Sequence, residues 1–239
     1  MKPITPTITC DVIHIEQLNH HVYRVLLKPY EPLIFNAGQY IEIVLPTGDI
    51  CAFSIANAPH QELVELHIRH NVREALSTKI IEHVNNNKTI TILGNKGECS
   101  LVEDPNKTII FIAASTCFAQ IKSLLEFAFN KNFKQPLYFY WGVRFVNDFY
   151  LKEIPDAWAT QHPNFTFVPV VSQKSPKWHG RHGFVHKAVM QDFPTLKDTQ
   201  VYACGSPNMI YAVRDDFVLH GLDETQFFSD VFDYAQRQS

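Results

Sequence analysis

Residues 108–120 have the sequence TIIFIAASTCFAQ, which decides the fold of the second half of the chain. The run from Thr108 to Ala113 is short, β-branched and apolar, which is typical of a strand buried on both faces. From Phe118 to Phe129 the apolar residues have helical spacing. A strand, a tight turn and a helix begin a βαβ unit. In such a unit, free N–H groups at the helix N-terminus favour an anion such as a phosphate.

The turn in this stretch, Ala114 to Cys117, contains no glycine. Glycine is usual in a phosphate-binding turn because the backbone must take φ > 0 and approach the ligand closely. Two interpretations of the turn therefore stay open. It binds a dinucleotide in spite of its side chains, or it keeps the fold and binds none.

Strand and helix patterns alternate from Thr108 to the C-terminus, which predicts a doubly wound parallel sheet. In such a sheet the strands that end at Ala114 and Cys204 should be neighbours. The predicted strands are Thr108–Ala113, Leu137–Trp141, Phe165–Val171, Gln200–Cys204 and Thr225–Phe228, and the predicted helices are Phe118–Phe129, Leu151–Thr160, Val185–Phe193 and Pro207–Leu219.

The first hundred residues have short strand patterns and one helical pattern, which together predict a small antiparallel β-barrel. A polar linker, residues 102–107, separates them from the α/β pattern. We therefore expect a barrel domain over residues 1–101 and an α/β domain over residues 102–239. The predicted barrel strands are Ile8–Ile15, His21–Leu27, Gln39–Leu45, Ile50–Ala56, Leu63–Arg69 and Thr89–Leu93, and the helix is Ala75–Val84.

Composition narrows the class of protein. The net charge of −3 argues against nucleic acid as the main partner. No apolar run reaches the roughly 18 residues that a membrane helix needs, and Met1–Thr7 lacks the apolar core of a signal peptide. The five cysteines contain no CxxC pair, so no metal site is expected. These features predict a cytosolic protein.

Seven short segments resemble, in order, the motifs of the ferredoxin-NADP reductase superfamily. The closest resemblance is to its small NAD(P)H:flavin oxidoreductases that stand alone without a ferredoxin domain. The segments are Ala37–Tyr40 (AGQY), Cys51–Pro59 (CAFSIANAP), Leu66–Arg69 (LHIR), Gly97–Glu98 (GE), Tyr140–Arg144 (YWGVR), Trp178–Gly183 (WHGRHG) and Ala203–Met209 (ACGSPNM).

The resemblance implies an NAD(P)H-dependent flavin reductase in which hydride passes from the nicotinamide ring to flavin N5. Ser54 matches the family serine whose hydroxyl meets N5, although a strand serine can also bond a neighbouring carbonyl. Phe232 matches an aromatic residue that covers the flavin ring, and core packing is its alternative role. The other implied cofactor-binding residues are Cys51, Ala52, Phe53, Ile55, His67, Ile68 and Arg69 for flavin, and Ala114, Ser115, Thr116, Cys117, Cys204, Gly205, Ser206 and Pro207 for NAD(P)H.

Two departures from the family pattern bear on the activity. Cys51 stands where many relatives have an arginine that binds the flavin phosphate. The turn from Ala114 to Cys117 stands where the family has Gly-Gly-Thr-Gly, and only Thr116 is retained. We therefore expect the flavin (FMN, FAD or riboflavin) to be weakly held or a diffusible substrate. The alternative is a non-catalytic paralogue that binds a flavin-like ligand or a protein.

Three further questions follow from the resemblance. Reduced flavin would pass to an acceptor enzyme or to dioxygen. Arg144 and Arg181 are candidates to meet a 2′-phosphate, although either can equally face solvent. Cys51, Cys117 and Cys204 fall at cofactor positions, either as unreactive thiols or as a redox-sensitive group in the crevice.

Overall fold

The computed structural model describes residues 7–71, 73–235 and 237. The segment Met1–Thr7, examined above for a signal peptide, lies outside this range except for Thr7. The described chain divides into two compact units. The first holds the residues up to Leu101 together with Lys122–Ala128, and the second holds Val102–Ile121 and the residues from Phe129 onward. The expected division at residue 101 did not include the short segment that joins the first unit.

The first unit is an antiparallel six-stranded sheet. Its strands are β1 (Thr7–Gln17), β2 (Val22–Pro29), β3 (Tyr40–Val44), β4 (Ile50–Ser54), β5 (Val64–Arg69) and β6 (Thr89–Lys96), with helix α1 (Ala75–Asn86) between the last two. The strand order is β4-β3-β6-β1-β2-β5. An antiparallel bridge between Ile55 and Leu66 joins the two outer strands, which gives the barrel character that the sequence predicts.

The second unit is a parallel six-stranded sheet with helices, as the alternating pattern predicts. Its strands are β7 (Thr108–Ala114), β8 (Leu137–Val143), β9 (Phe165–Val171), β10 (Arg181–His182), β11 (Thr199–Cys204) and β12 (Phe227–Phe228), and its helices are α3 (Glu153–Gln161), α4 (Val185–Asp192), α5 (Pro207–Leu219) and α6 (Val231–Tyr234). Helix α2 (Phe118–Asn130) is divided, because its middle, Lys122–Ala128, belongs to the first unit and its two ends to the second. The strand order is β10-β9-β8-β7-β11-β12. Residues 109–113 of the central strand β7 are fully buried, which confirms burial on both faces.

Two local predictions differ from the structure, and two short elements were not predicted. The third predicted helix begins at Glu153 rather than Leu151, because Leu151 has φ 53°, which a right-handed helix does not accommodate. The predicted strand Thr225–Phe228 shortens to two residues, because the Asp223 carboxylate accepts hydrogen bonds from Thr225 and caps a 3₁₀ turn. The short elements β10 and α6 were not predicted.

Each unit has its own apolar core. In the first unit Ile41, Ile43, Leu66 and Ile92 are fully buried inside the barrel. In the second unit the central strands carry large buried rings, and the Phe118 ring stacks on Trp141 with 4.3 Å between centroids. Among the described residues, no helix is long and apolar enough to cross a membrane.

Candidate functional site

The glycine-free turn connects β7 to α2 through a 3₁₀ turn, Ser115–Cys117. Ala114 is extended, with φ −112° and ψ 124°. Of the four turn residues, only Ser115 has a positive φ, at 53°. Its carbonyl oxygen accepts a hydrogen bond of 2.9 Å from Trp141 Nε1. The family pattern has three glycines here. In this chain, only the backbone of Ser115 has the positive φ that glycine adopts without strain.

The strand that ends at Cys204 lies directly beside the strand that ends at Ala114, as predicted. β11 pairs with β7 in parallel, and Cys204 is opposite Ala113. After Cys204 the chain enters α5, with Ser206 at the N-cap position and Pro207 as the first helical residue, where its missing N–H costs no hydrogen bond. A Cβ on Gly205 would lie 2.7 Å from Met209 Sδ, so this turn packs closely on its own helix.

A cleft of about 220 Å³ opens at the carboxyl ends of β7, β8 and β9. Open α/β sheets bind ligands at this edge. Ala114 and Ser115 line the cleft, which fits a nucleotide bound against the turn, whereas Thr116, Cys117 and residues 204–207 are not among its lining residues. The other lining residues are Gly142, Val143, Arg144, Ser172, Gly183, Phe184, Val185 and Met209. The YWGVR and WHGRHG motifs contain four of these and the ACGSPNM motif contains Met209, but no sequence signal pointed to Ser172 or Phe184.

The two candidate arginines for a 2′-phosphate have different surroundings. Arg181 is paired with the Asp192 carboxylate and with the Gln191 side-chain oxygen. Arg144 lines the cleft and lies over the Phe145 ring, 5.2 Å from its centroid. Because the guanidinium of Arg181 already has anionic and polar partners, Arg144 is the better placed of the two.

Ser54 is the last residue of β4 and pairs with Tyr40 across the sheet. It is half-buried, and its hydroxyl makes no hydrogen bond to any described residue. The Ser54 hydroxyl therefore does not bond a neighbouring carbonyl, which was the alternative role for this serine. A hydroxyl with free hydrogen-bonding capacity at this position fits the polar edge of a flavin ring.

Cys51 and Phe53 lie on the same strand and pack in part against the barrel core. Burial, and next the Asp49 carboxylate, raise the pKa of the Cys51 thiol. The thiol is therefore neutral near pH 7, which favours an unreactive side chain here. Ala52, between them, is exposed.

Most side chains of the predicted flavin-lining strand, LHIR, lie inside the barrel. Ile68 on this strand and Ile55, which follows β4, are fully buried core residues, so only their backbone can contact a ligand. His67 is buried and bonds Glu65, whereas Arg69 is exposed at the end of β5. A flavin contact of Arg69 stays a prediction.

Phe232 lies on α6, where its ring contacts Phe227 and Tyr211 with centroid distances of 5.9 and 5.6 Å. Arg214 lies over the same ring, 5.6 Å from its centroid. These contacts are what core packing of the second unit requires. The flavin-covering role of Phe232 stays a prediction.

Comparison with known proteins gives the family. A family model described as the oxidoreductase NAD-binding domain matches residues 111–215. The chain is 40% identical over 229 residues to CDP-6-deoxy-L-threo-D-glycero-4-hexulose-3-dehydrase reductase of Yersinia pestis, covering 95% of this chain and 69% of that protein. Over 232 residues it is 34% identical to the NAD(P)H-flavin reductase of Aliivibrio fischeri, covering 94% of this chain and 98% of the relative.

A solved structure agrees with these relatives. The Amycolatopsis cytochrome P450 reductase GcoB matches with a TM-score of 0.87 and 27% identity over 94% of this chain and 69% of that chain. The chain spans only 64% and 62% of two further relatives, a second Yersinia dehydrase reductase and the Salmonella protein RfbI. The match to flavin reductases, by contrast, runs over nearly their whole length. The chain therefore belongs to the NAD(P)H-flavin reductases of the ferredoxin-NADP reductase superfamily, oxidoreductases that work with a flavin and a nicotinamide nucleotide.

Proposed function

We propose that this chain reduces a flavin that it holds weakly or takes up as a substrate, using NAD(P)H as the hydride donor. The single observation that carries the proposal is the half-buried Ser54 hydroxyl at the end of β4, which has no hydrogen-bonding partner among the described residues. The two cofactors supply the redox chemistry, because hydride transfer is intrinsic to the nicotinamide and flavin rings. The role of the chain is to bind and orient them.

The flavin side supports weak binding. Cys51 brings no positive charge to a phosphate, and the Asp49 carboxylate that raises its pKa adds a negative one. A charge-assisted hydrogen bond contributes about 1.5–3 kcal/mol, so its absence weakens binding of FMN or FAD by about tenfold or more. A flavin recognised mainly through its ring leaves easily once it is reduced.

The nucleotide side supports binding at the cleft beside Ser115. Arg144 supplies a cation at the cleft, and Gly183, with φ 107°, leaves the space in front of its backbone open. Two features favour the alternative, a non-catalytic paralogue: the strained, glycine-free turn at Ser115 and the replacement of the family arginine by Cys51. The close relationship to flavin reductases over the whole chain favours the enzyme.

The fate of the product is part of the proposal. Reduced flavin passes to a flavin-dependent acceptor enzyme or reacts with dioxygen. None of the five cysteines, all of which the structure describes, forms a disulfide, and this supports the expected cytosolic location, where thiols stay reduced.

The test is oxidation of NADH and NADPH, followed at 340 nm with riboflavin, FMN and FAD as acceptors. Ser54→Ala should lower kcat/KM for flavin by more than tenfold, because it removes the hydroxyl but little packing. Ser54→Thr, which retains a hydroxyl, should keep most of the activity, and both variants should melt within a few degrees of the wild type. Equal turnover of the alanine variant would remove Ser54 from the catalytic role, and no oxidation with any flavin would overturn the function.

A further inference from the structure

A cluster of buried charged and titratable side chains lies in the first unit. Of its members, only His67, in the segment LHIR, belongs to a motif that was used to predict the function. The centre of the cluster is Glu65, which is 4% exposed. Glu65 Oε1 lies 3.0 Å from Arg24 Nε and 2.9 Å from His67 Nε2, and Oε2 lies 3.1 Å from Lys122 Nζ. Lys122 is also 4% exposed. Buried ion pairs are often no more stabilising than apolar residues of the same size, so the fold alone does not require this cluster.

Lys122 also begins a set of contacts between α2 and the segment that follows Ser54. Lys122 Nζ donates to the carbonyl of Ala56 at 3.2 Å. Ser123 Oγ donates to the carbonyl of Asn57 at 2.8 Å, and Glu126 Oε2 accepts from the Ala58 N–H at 3.1 Å. We call these three helix residues, Lys122, Ser123 and Glu126, the helix clasp. They hold three consecutive backbone positions.

Strand β5 holds the same segment from its other side. The Ala56 N–H donates to the Glu65 carbonyl at 2.7 Å, and the Asn57 side-chain oxygen accepts from the Glu65 N–H at 2.7 Å. The Ile55–Leu66 bridge lies immediately before these contacts. Residues 56–58 are therefore fixed between β5 and the helix clasp, and the fixed segment begins two residues after Ser54.

Glu65, at the centre of the cluster, carries its negative charge at neutral pH. Burial alone would raise the pKa of Glu65. The hydrogen bond from His67 and the positive charges of Lys122 and Arg24 outweigh burial and lower this pKa to about 2. Lys122 therefore faces a carboxylate at neutral pH, and a second one at Glu126, 2.7 Å away. These ion pairs hold its ammonium group where it meets the Ala56 carbonyl.

We propose that the helix clasp positions Ser54 for the reaction by fixing the backbone that follows it. Lys122, Ser123 and Glu126 are positioning residues, because they act through residues 56–58. The inference rests on the proposed function, in which the Ser54 hydroxyl meets the flavin. Displacements of about 1 Å at a reacting group can lower rates by about a hundredfold, so a loosened clasp should be visible in turnover.

The first test compares Lys122→Met with Lys122→Arg. The methionine variant keeps the unbranched apolar part of the side chain and loses its charge and donor. It should lower kcat/KM for riboflavin about tenfold, whereas the dissociation constant for NAD(P)H, measured by titration of the flavin-free protein, should stay within twofold. The arginine variant keeps the charge and donors and should recover at least half of the activity.

The double variant Glu65→Gln/Lys122→Met separates positioning from stability. It removes the lysine and neutralises Glu65, the more buried of its two carboxylate partners, so its melting temperature should return towards that of the wild type. The Ala56 carbonyl still lacks its donor, so kcat/KM for riboflavin should stay about tenfold low. Recovery of both stability and activity in the double variant would overturn the proposal, because Lys122 would then be needed for folding only.

Ser123→Ala keeps the proposal testable if the charge variants fold poorly. It removes two neutral hydrogen bonds, the one that Ser123 Oγ donates to the Asn57 carbonyl and the longer one that it accepts from the Gly38 N–H at 3.4 Å. It should raise KM for riboflavin about threefold with only a small loss in melting temperature. Wild-type kinetics would contradict the clasp. The wild type, measured in the same assay, separates the two proposals. If it fails to oxidise NAD(P)H with flavin, the proposed function fails. If it is active and all clasp variants match it, only the clasp fails.

Discussion

Ser115 is the residue of the glycine-free turn whose backbone is strained. Its φ of 53° lies in the left-handed region, which costs a residue with a Cβ roughly 1–2 kcal/mol. Ala114 is extended, and Cys117 ends the 3₁₀ turn without a positive φ. From the sequence, the three missing glycines look like a single loss. In the structure the loss has two parts: the backbone is strained at Ser115 only, and at Ala114 and Cys117 the only change is the added volume of the side chain.

This difference predicts opposite effects of two glycine substitutions. Ser115→Gly should raise the free energy of unfolding by up to about 1 kcal/mol, since relief of strain is partly offset by the added entropy of the unfolded chain. It should also tighten NAD(P)H binding, because Ser115 lines the cleft. Urea denaturation and nucleotide titration measure the two effects.

Cys117→Gly is the matched control in the same turn. Glycine has nothing to relieve there and should lower the free energy of unfolding by roughly 0.5–1 kcal/mol. If both variants lose stability equally and neither binds NAD(P)H better, the strain at Ser115 does not limit binding. The turn then reaches the phosphates by its present backbone path.

At the scale of elements, periodicity predicted the long strands and helices because their burial repeats along the chain. The buried run of β7 and the helical spacing of α2 left no competing assignment. The predicted boundaries were wrong where one local feature decides the structure. Examples are the positive φ of Leu151 and the Asp223 side chain that caps the turn before Thr225. Neither has a repeating signal in the sequence.

The helix clasp shows the same limit at the candidate site. Lys122, Ser123 and Glu126 belong to a helix that the sequence predicted correctly. However, their backbone partners at residues 56–58 are between 66 and 68 positions away along the chain. One sequence gives no information on which helix face meets which loop. The motif residues, by contrast, could be named from the sequence because each lies in a contiguous run.

Strand β5 carries a second testable property, the pH dependence of its buried His67. Burial lowers the pKa of His67 and outweighs the raising effect of Glu65. The charged groups that act on this pKa are Glu65 on the same strand, Lys122 on α2 and Arg24 on β2. In the unfolded chain histidine takes up a proton near pH 6.5, while folded His67 stays neutral to lower pH. The unfolded state therefore binds more protons below about pH 6.5, and stability falls as pH falls.

His67→Gln should make this decline shallower. Glutamine keeps an N–H donor for Glu65 but does not titrate. The difference in slope between pH 6.5 and pH 5 should approach 1.4 kcal/mol per pH unit at most, the value for one proton. Urea denaturation across this range measures it, and the offset above pH 8, where both proteins are neutral at residue 67, gives the packing cost alone. An unchanged slope would mean that folded His67 takes up its proton with the unfolded chain.

At the scale of the whole molecule, seven weak motifs in the correct order identified the family, since order along 239 residues is more specific than any single motif. Whole-chain charge adds a further constraint on the substrate. The 24 acidic and 21 basic residues leave a net charge of −3, so no long-range attraction favours an anionic flavin over a neutral one. Discrimination between FMN and riboflavin must then come from local cations.

At the flavin side the local charge is also unfavourable to a phosphate. Cys51 is neutral, and the nearby Asp49 carboxylate lies 3.5 Å from Lys79 Nζ, so that lysine already has an anionic partner. We therefore expect KM for riboflavin and FMN to agree within about threefold in the wild type. Cys51→Arg should lower KM for FMN about tenfold and leave riboflavin unchanged, since one charge-assisted hydrogen bond contributes at least about 1.4 kcal/mol. Cys51→Met adds volume without charge and should change neither. If the wild type prefers FMN by a hundredfold, another cation holds the phosphate. Arg69 would then be the first residue to test by mutation.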